Sequence, residues 1–208
     1  MVEKTIYVRY IKGVFDRILA TIGLICFWWL YLIIAIAIKI DDPNGPIIFK
    51  QERLGKQGKI YWMYKFRSMR VGAEHIGTGV YSNANDSRIT RVGRVLRATS
   101  LDEIPQLWNV LKGDMSLIGF RSPLTYHPWK WEEYTDEQRK MFELKPGITG
   151  WAQVNGRKTV EWNHRIVLNI WYVEHVSFLL DLKILFMTVI KVFKNSDNVN
   201  VEETVKNE

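Results

Sequence analysis

The feature that most constrains this chain is an apolar run at residues 18–38, which holds 21 residues without a charge or a proline. A helix rises about 1.5 Å per residue, so the run reaches about 31 Å, close to the thickness of a bilayer's hydrocarbon core. The alternative is a helix buried in a soluble domain, but one small domain can seldom surround a helix that is apolar on every face. No small-residue cleavage site follows, which argues against a signal peptide. The run therefore predicts a membrane-inserted helix within residues 1–40, behind a short basic and aromatic segment.

The charge of the chain indicates an anionic partner, because its formal net charge is +7. Nucleic acid, an anionic membrane surface and a phosphorylated substrate all fit that charge, and composition does not choose among them. The single cysteine, Cys26, lies within the apolar run, so no disulfide framework exists and a reduced, cytosol-facing location fits best. Four histidines are scattered without the spacing of metal ligands, which argues against a zinc site.

Two adjacent carboxylates, Asp102 and Glu103, stand out in the segment 97–122. They precede Pro105, and apolar residues then recur at helical spacing until Gly113. Proline lacks an N–H and is tolerated in the first turn of a helix, so this pattern predicts a helix that begins at about Asp102 or Glu103. Acids at that point face unpaired N–H groups and the positive end of the helix dipole, which also attract phosphate. The alternative is that the pair only caps the helix.

The segment 41–75 reads as a turn and a hairpin. A turn at residues 42–46 precedes two short extended segments, 47–49 and 59–66, which flank a turn between Gly55 and Gly58. The tip of the hairpin carries Arg53, Lys56 and Lys59, and charged residues at such a position usually form a solvated turn. At the end of the second strand, Lys65 and Arg67 can direct cations at a diphosphate. Residues 71–88 read as a loop that contains neither Gly-x-Gly-x-x-Gly nor a Walker pattern.

Four arginines recur at every third position and form a basic ridge ahead of the acids: Arg88, Arg91, Arg94 and Arg97. A solvated face or a nucleic-acid footprint would give the same pattern. Because no RNA-binding or DNA-binding module is recognisable, we predict no nucleic-acid partner and favour lipid headgroups and phosphate as ligands of the ridge.

The second half of the chain contains three predicted helices and one glycine-rich loop. We predict a short charged helix at residues 135–144, an amphipathic helix at 161–174 and a helix at 178–193, with a site loop without regular structure at 147–156. The last helix is apolar but carries Asp181, Lys183, Lys191 and Lys194, so it is predicted to lie in the membrane interface. The predicted fold is α+β and mainly helical, with a catalytic domain at 41–194 and a polar, disordered tail at 195–208.

Five motifs occur in the order found in one family, and from about residue 15 to residue 194 the chain resembles the bacterial sugar transferases. In particular, it is similar to the small monotopic polyprenyl-phosphate phosphoglycosyl transferases. The motifs are Phe-Asp-Arg, Phe-Lys-Gln-Glu-Arg-Leu-Gly, Tyr-Lys-Phe-Arg-Ser-Met, Thr-Ser-Leu-Asp-Glu and Pro-Gly-Ile-Thr-Gly-Trp-Ala-Gln-Val-Asn-Gly-Arg. Five motifs in register are a far more specific signal than any one of them.

The resemblance implies an enzyme that transfers a sugar phosphate from a UDP-sugar to polyprenyl (undecaprenyl) phosphate and releases UMP. It implies that Asp102 is a nucleophile that carries the phosphosugar, and that Asp102 and Glu103 bind Mg²⁺. The expected location is the cytoplasmic face of the bacterial inner membrane, at the first membrane step of glycoconjugate assembly, with other glycan-assembly enzymes as possible partners. The residues expected to bind substrate or phosphate are Lys65, Arg67, Arg97, Arg121, Gln153 and Arg157.

Two departures from the family pattern carry expectations of their own. The family breaks its membrane helix with a Ser-Pro pair so that the helix enters and leaves by the same face, but Trp28 and Trp29 stand at those positions here. We favour the re-entrant arrangement and keep a straight span as the alternative. Phe120 and Ser122 replace prolines on either side of Arg121, which predicts a looser setting for that arginine. A catalytically impaired membrane scaffold is therefore the alternative function.

Overall fold

The computed structural model describes residues 5–75, 86–155 and 161–194, and this part of the chain is mostly helical. The predicted polar tail and Arg157 lie outside the described residues. The helices of the fold are α1 (Lys12–Asp41), α2 (Arg91–Thr99), α3 (Gln106–Lys112), α4 (Asp136–Arg139), α5 (Trp151–Val154), α6 (Trp162–His175) and α7 (Phe178–Lys194). The strands are β1 (Ile48–Leu54), β2 (Ile60–Phe66), β3 (Ser116–Ile118) and β4 (Gly147–Thr149).

The apolar run forms one unbroken helix, which is α1 preceded by a π-helical turn at Tyr7–Ile11. By length and composition, the helix Tyr7–Asp41 suffices to cross a membrane. Only 11% of an apolar 18-residue stretch of this helix is buried inside the protein. The alternative of a buried core helix is therefore wrong. Trp28 and Trp29, at the positions where the family has its break, lie in a continuous helix and are 66% and 49% exposed.

Both ends of α1 contact the rest of the protein. Near its N-terminus the Asp16 carboxylate accepts hydrogen bonds from Ser116 Oγ (2.5 Å) and from the backbone N–H of Leu117 (3.3 Å). At its C-terminus Asp41 Oδ2 accepts a hydrogen bond from the N–H of Val92 (2.9 Å), which lies in the first turn of α2. Midway between them, the Tyr31 hydroxyl donates to the backbone oxygen of Ile104 (2.9 Å). The helix therefore packs along its length on one side and exposes apolar side chains on the other.

A buried polar cluster joins α1, α6 and α7. The carboxylate of Asp181 accepts hydrogen bonds from the Tyr7 and Tyr172 hydroxyls and forms an ion pair with Lys12, each at 2.6 Å. Asp181 was predicted to be one of the charges that keep α7 in the membrane interface, but it points into the protein and is 4% exposed. Its charge is needed to pair with Lys12. The outward face of α7 is consequently more apolar than predicted, with Phe178, Leu179, Leu182, Phe186, Val189 and Ile190 exposed.

The predicted hairpin is confirmed, and its first strand is longer than expected. Strands β1 and β2 pair antiparallel from Ile48↔Phe66 to Leu54↔Ile60. A second sheet pairs β3 with β4 in parallel. The expectation that residues 147–156 lack regular structure is wrong, because this segment forms β4 and α5. Its glycines serve close packing: a Cβ at Gly147 or Gly150 would overlap the backbone of Gly119.

Candidate active site

The adjacent acids lie on a 3₁₀ turn between α2 and α3. Helix α2 ends at Ser100, whose φ of 58° is left-handed, and the 3₁₀ turn Leu101–Glu103 follows at once. The next helix begins at Gln106, directly after Pro105. The predicted helix start at Asp102 or Glu103 is thus a few residues early, because the acids occupy a turn of their own that the left-handed residue separates from α2.

A single cavity of about 640 Å³ contains the acids together with most of the predicted substrate-binding residues. Asp102 is 8% exposed, and its position on the cavity wall keeps it accessible to a ligand. The predicted site residues that line this cavity are Asp102, Glu103, Lys65, Arg67, Arg97, Arg121 and Gln153. The fold therefore brings together residues that lie far apart in the chain, while their individual roles stay predictions.

Lysine 65 holds the second acid in place. Lys65 Nζ on β2 lies 3.0 Å from Glu103 Oε1, and both side chains are about four-fifths buried. A pair that is partly shielded from water is screened less by salt than a surface pair. This contact fixes the acidic turn against the hairpin.

Arginine 67 lines the cavity but has a structural partner. Its Nη2 donates to the backbone oxygen of Asp42, and Nη1 lies 3.7 Å from the Asp42 carboxylate. A Cβ at Gly45 would overlap Nη1, so glycine there makes room for the guanidinium. Arg67 therefore stabilises the turn that follows α1, and its contact with phosphate stays a prediction.

Arginine 53 is a site residue that the sequence analysis missed. It was assigned to a solvated hairpin tip, but it lies within β1 and lines the cavity. Its Nη1 donates to the backbone oxygen of Ser122 (3.0 Å) and its Nη2 to Gln51 Oε1 (2.6 Å). Burial, and to a smaller extent the positive charge of Arg121, lower the pKa of Arg53 to about 10. Both guanidinium groups line the same cavity, which makes it a favourable site for an anion.

A sequence signal for Arg53 was available. Alternate residues of a strand share one face, and Phe49, Gln51 and Arg53 all line the cavity. A predicted strand that continued beyond Phe49 would have placed Gln51 and Arg53 on the same face as Phe49.

The neighbours of Arg121 are firmly held, contrary to the expectation from the missing prolines. Phe120 is fully buried, with its ring centroid 5.0 Å from that of Phe142. The hydroxyl of Ser122 donates to the backbone oxygen of Leu54 (2.6 Å). Packing and hydrogen bonding therefore supply the rigidity that proline would have given.

The carboxylates suit a magnesium ion that is shared with a substrate. Among the described residues, no group of three or more His, Cys, Asp or Glu side chains forms a cage for a metal. Mg²⁺ is often held by one or two carboxylates together with substrate phosphates and water, and adjacent Asp102 and Glu103 in a cationic cavity fit that mode. The donor set is therefore compatible with the predicted ion.

Comparison with known proteins gives the family. A model of the family described as "Bacterial sugar transferase" matches residues 7–195. The chain is 44% identical over 183 residues to "Uncharacterized sugar transferase EpsL" of Bacillus subtilis, which covers 88% of this chain and 87% of that protein.

Longer relatives carry names that state an activity. "UDP-glucose:undecaprenyl-phosphate glucose-1-phosphate transferase" of Xanthomonas campestris pv. campestris is 41% identical over 196 residues, covering 92% of this chain and 40% of that protein. "Undecaprenyl-phosphate galactose phosphotransferase" of Salmonella typhimurium is 38% identical over 194 residues, covering 86% and 40%. The chain spans about two fifths of the length of these two relatives. By its motifs, its cavity and this match over most of its length, the chain belongs to the bacterial sugar transferase family.

Proposed function

We propose that this protein transfers a sugar phosphate from a UDP-sugar to undecaprenyl phosphate and releases UMP. The observation that carries the proposal is the cavity in which Asp102 and Glu103 are surrounded by Arg53, Lys65 and Arg121. Two anionic substrates must use one site in turn, so cations are needed before any nucleophile can work. The names of the longer relatives support the same two substrates.

In the proposed mechanism, a carboxylate oxygen of Asp102 attacks the β-phosphorus of the UDP-sugar. The bond from this phosphorus to the oxygen that bridges the two phosphates breaks, and that oxygen leaves with UMP. The phosphosugar is then bound to Asp102 until a phosphate oxygen of the lipid attacks the same phosphorus and frees the carboxylate. Arg53 and Arg121 neutralise phosphate oxygens in both steps, while Lys65 keeps Glu103 in position. Mg²⁺ held by Asp102 and Glu103 would further neutralise the diphosphate.

The acceptor lipid is expected to reach the cavity from α1. Phe27 of α1 and Leu107 of α3 line the cavity, so an apolar wall continues from the site to the exposed apolar face of α1. A polyprenyl chain on this face would keep its phosphate in the cavity while its tail stays in hydrocarbon.

The contacts of α1 favour a helix that enters the membrane without crossing it. A straight span would place its two ends on opposite sides, yet Asp16 and Asp41 both bind backbone of the same domain. Lys12 is moreover buried against Asp181. A charged domain cannot follow the helix through the hydrocarbon core, so we propose that both ends face the cytoplasm. The apolar outward face of α7 would then lie on the same membrane surface.

Cysteine labelling tests this topology. Thr5→Cys and Asn44→Cys, each made in a Cys26→Ser background, place one thiol before α1 and one in the turn after it. We expect a membrane-impermeant maleimide to label neither thiol in intact spheroplasts and to label both after lysis. Labelling of Thr5→Cys alone in intact spheroplasts would mean that the helix spans the membrane.

The overall reaction is tested with purified protein, undecaprenyl phosphate and UDP-glucose or UDP-galactose, the sugars in the names of the relatives. We expect UMP and the lipid diphosphate sugar to form in equal amounts with at least one donor. Chelation by EDTA should stop the reaction, and added Mg²⁺ should restore it, because the ion would be held by Asp102 and Glu103 and would neutralise the diphosphate. A folded, membrane-bound protein that releases no UMP from a wider panel of UDP-sugars would favour the impaired scaffold instead.

A further inference from the structure

The wall of the cavity opposite the hairpin contains a buried amide whose hydrogen-bonding groups are unused. Gln153 on α5 is 7% exposed and lines the cavity. Among the described residues, neither Oε1 nor Nε2 of its carboxamide has a hydrogen-bond partner. Burying an unpaired donor and an unpaired acceptor is unfavourable, and such groups at a cavity wall are usually satisfied by a ligand.

The position of this amide is set by packing. Its neighbours in the chain, Ala152 and Val154, are both buried, so the single turn of α5 is anchored on either side of Gln153. Before the turn, Gly150 lies so close to Gly119 that no side chain fits between them. The amide is therefore held in place before a ligand arrives, which reduces the entropy lost on binding.

The parallel pair of strands brings Gln153 to the arginine that is expected to bind the diphosphate. Strands β3 and β4 run in the same direction, with Ile118 opposite Thr149. Arg121 follows the end of β3 and Gln153 follows the end of β4, and both line the cavity. Carboxyl ends of parallel strands meet at one edge of a sheet, so both side chains follow the same edge of this sheet and can reach one ligand.

The carboxamide presents a donor and an acceptor side by side, and this restricts its partner. A matching group needs an N–H and a carbonyl on the same edge, as in the imide of a uracil ring. The acetamido group of an N-acetylated sugar is a trans amide, so its N–H and C=O point in opposite directions and cannot both meet one carboxamide. The elements β4, α5 and α7 contribute the apolar side chains of Ile148, Val154 and Val192 to the cavity lining, beside the polar Thr149, Thr188 and Lys191, and apolar side chains suit the face of a flat ring.

We infer that Gln153 binds the imide edge of the uracil base and thereby positions the nucleotide of the donor. The inference rests on the proposed function, because it assumes a UDP-sugar in this cavity. Uracil N3–H donates to Oε1, and Nε2 donates to a neighbouring ring carbonyl. Cytosine is a poor probe of this contact, since a carboxamide that turns over by 180° pairs with it equally well. Methylation at N3 removes the uracil donor in either orientation.

The test measures the affinity of the full-length protein for UMP and for 3-methyl-UMP, in the wild type, in Gln153→Met and in Gln153→Glu. We expect the wild type to prefer UMP by about tenfold or more, the loss expected from two hydrogen bonds. Gln153→Met should reduce the preference to about twofold or less because it lacks both polar groups. Gln153→Glu should weaken UMP binding because a carboxylate repels the ring carbonyl. Gln57→Met is the control, because Gln57 is exposed and does not line the cavity, and this variant should keep the wild-type preference for UMP.

The possible outcomes separate this inference from the proposed function. If both Gln153 variants keep the wild-type preference for UMP over 3-methyl-UMP, the uracil assignment is overturned. A different outcome is that the variants bind UMP like the wild type but no longer bind a UDP-sugar more tightly than UDP. In that case Gln153 contacts the sugar hydroxyls, and the uracil assignment is again overturned. Failure of the wild type to bind UMP at all would overturn the proposed function together with the assignment.

Discussion

Replacing Asp102 with asparagine is expected to lower UMP release by about 10³-fold or more, the order of loss seen when a catalytic nucleophile is removed. Asparagine keeps the shape of the side chain but lacks an anionic oxygen that can attack phosphorus. The same change should abolish a covalent species that the wild type forms. Incubated with a UDP-sugar and no lipid acceptor, the wild type should gain the mass of one phosphosugar on Asp102, detectable by intact-protein and peptide mass spectrometry.

Asp136→Asn is the matched control for this prediction. The Asp136 carboxylate is fully exposed on α4 and does not line the cavity, so UMP release and the mass increment should persist in this variant. Normal turnover by Asp102→Asn would rule out the covalent mechanism. A phosphosugar found on another residue would preserve two-step transfer but assign it to a different nucleophile.

Replacing Asp181 with asparagine is expected to lower the free energy of unfolding by about 3–5 kcal/mol, the usual cost of breaking a buried ion pair. The Lys12 and Asp181 side chains are 8% and 5% exposed, so the variant would leave the Lys12 charge buried without its counter-charge. Burial, and to a smaller extent the negative charge of Asp181, raise the pKa of Tyr172. The Tyr172 hydroxyl therefore keeps its proton and donates a hydrogen bond to the Asp181 carboxylate. The cluster links α1 to α6 and α7, so the N-terminal end of α1 should loosen first.

Thermal unfolding in detergent and limited proteolysis near the N-terminus measure this effect. Combining Lys12→Met with Asp181→Asn should recover part of the lost stability, because the double variant buries no uncompensated charge. Glu174→Gln, at an exposed position on α6, serves as the control and should unfold like the wild type. An unchanged unfolding temperature in Asp181→Asn would show that the cluster does not hold the helices together.

The motifs drew attention to residues that line one cavity, because they occur in short segments whose local chemistry is distinctive. The acids beside Pro105 and the cations Lys65 and Arg121 were identified from such segments, and they line one cavity. Arg53 was missed because its role depends on the length of β1, which pairing with β2 extends to Leu54. The structure of the glycine-rich segment was also missed. Glycine indicates a loop when read locally, whereas here it permits the close approach of β3 and β4.

The long helix α1 shows what a local pattern can and cannot determine. The absence of charge and proline in residues 18–38 was enough to predict a helix of membrane-spanning length, and α1 is such a helix. The contacts from which the topology is inferred join Asp16 to a residue 101 positions away and Asp41 to a residue 51 positions away, and they have no signature in the run itself. Hydropathy measures the preference of each residue for lipid, but it does not record which surfaces meet after folding.

The sequence by itself determined the family, the long apolar helix, the hairpin and the separate motifs that carry the acids and the cations, because each depends on residues that are close together in the chain. Only the tertiary structure decided that Asp181 turns inward to neutralise Lys12, that Arg53 and Arg121 line one cavity, and that the Gln153 carboxamide has no hydrogen-bond partner among the described residues. These outcomes depend on burial and on the balance of charge among distant segments. Both quantities come into existence only when the chain has folded.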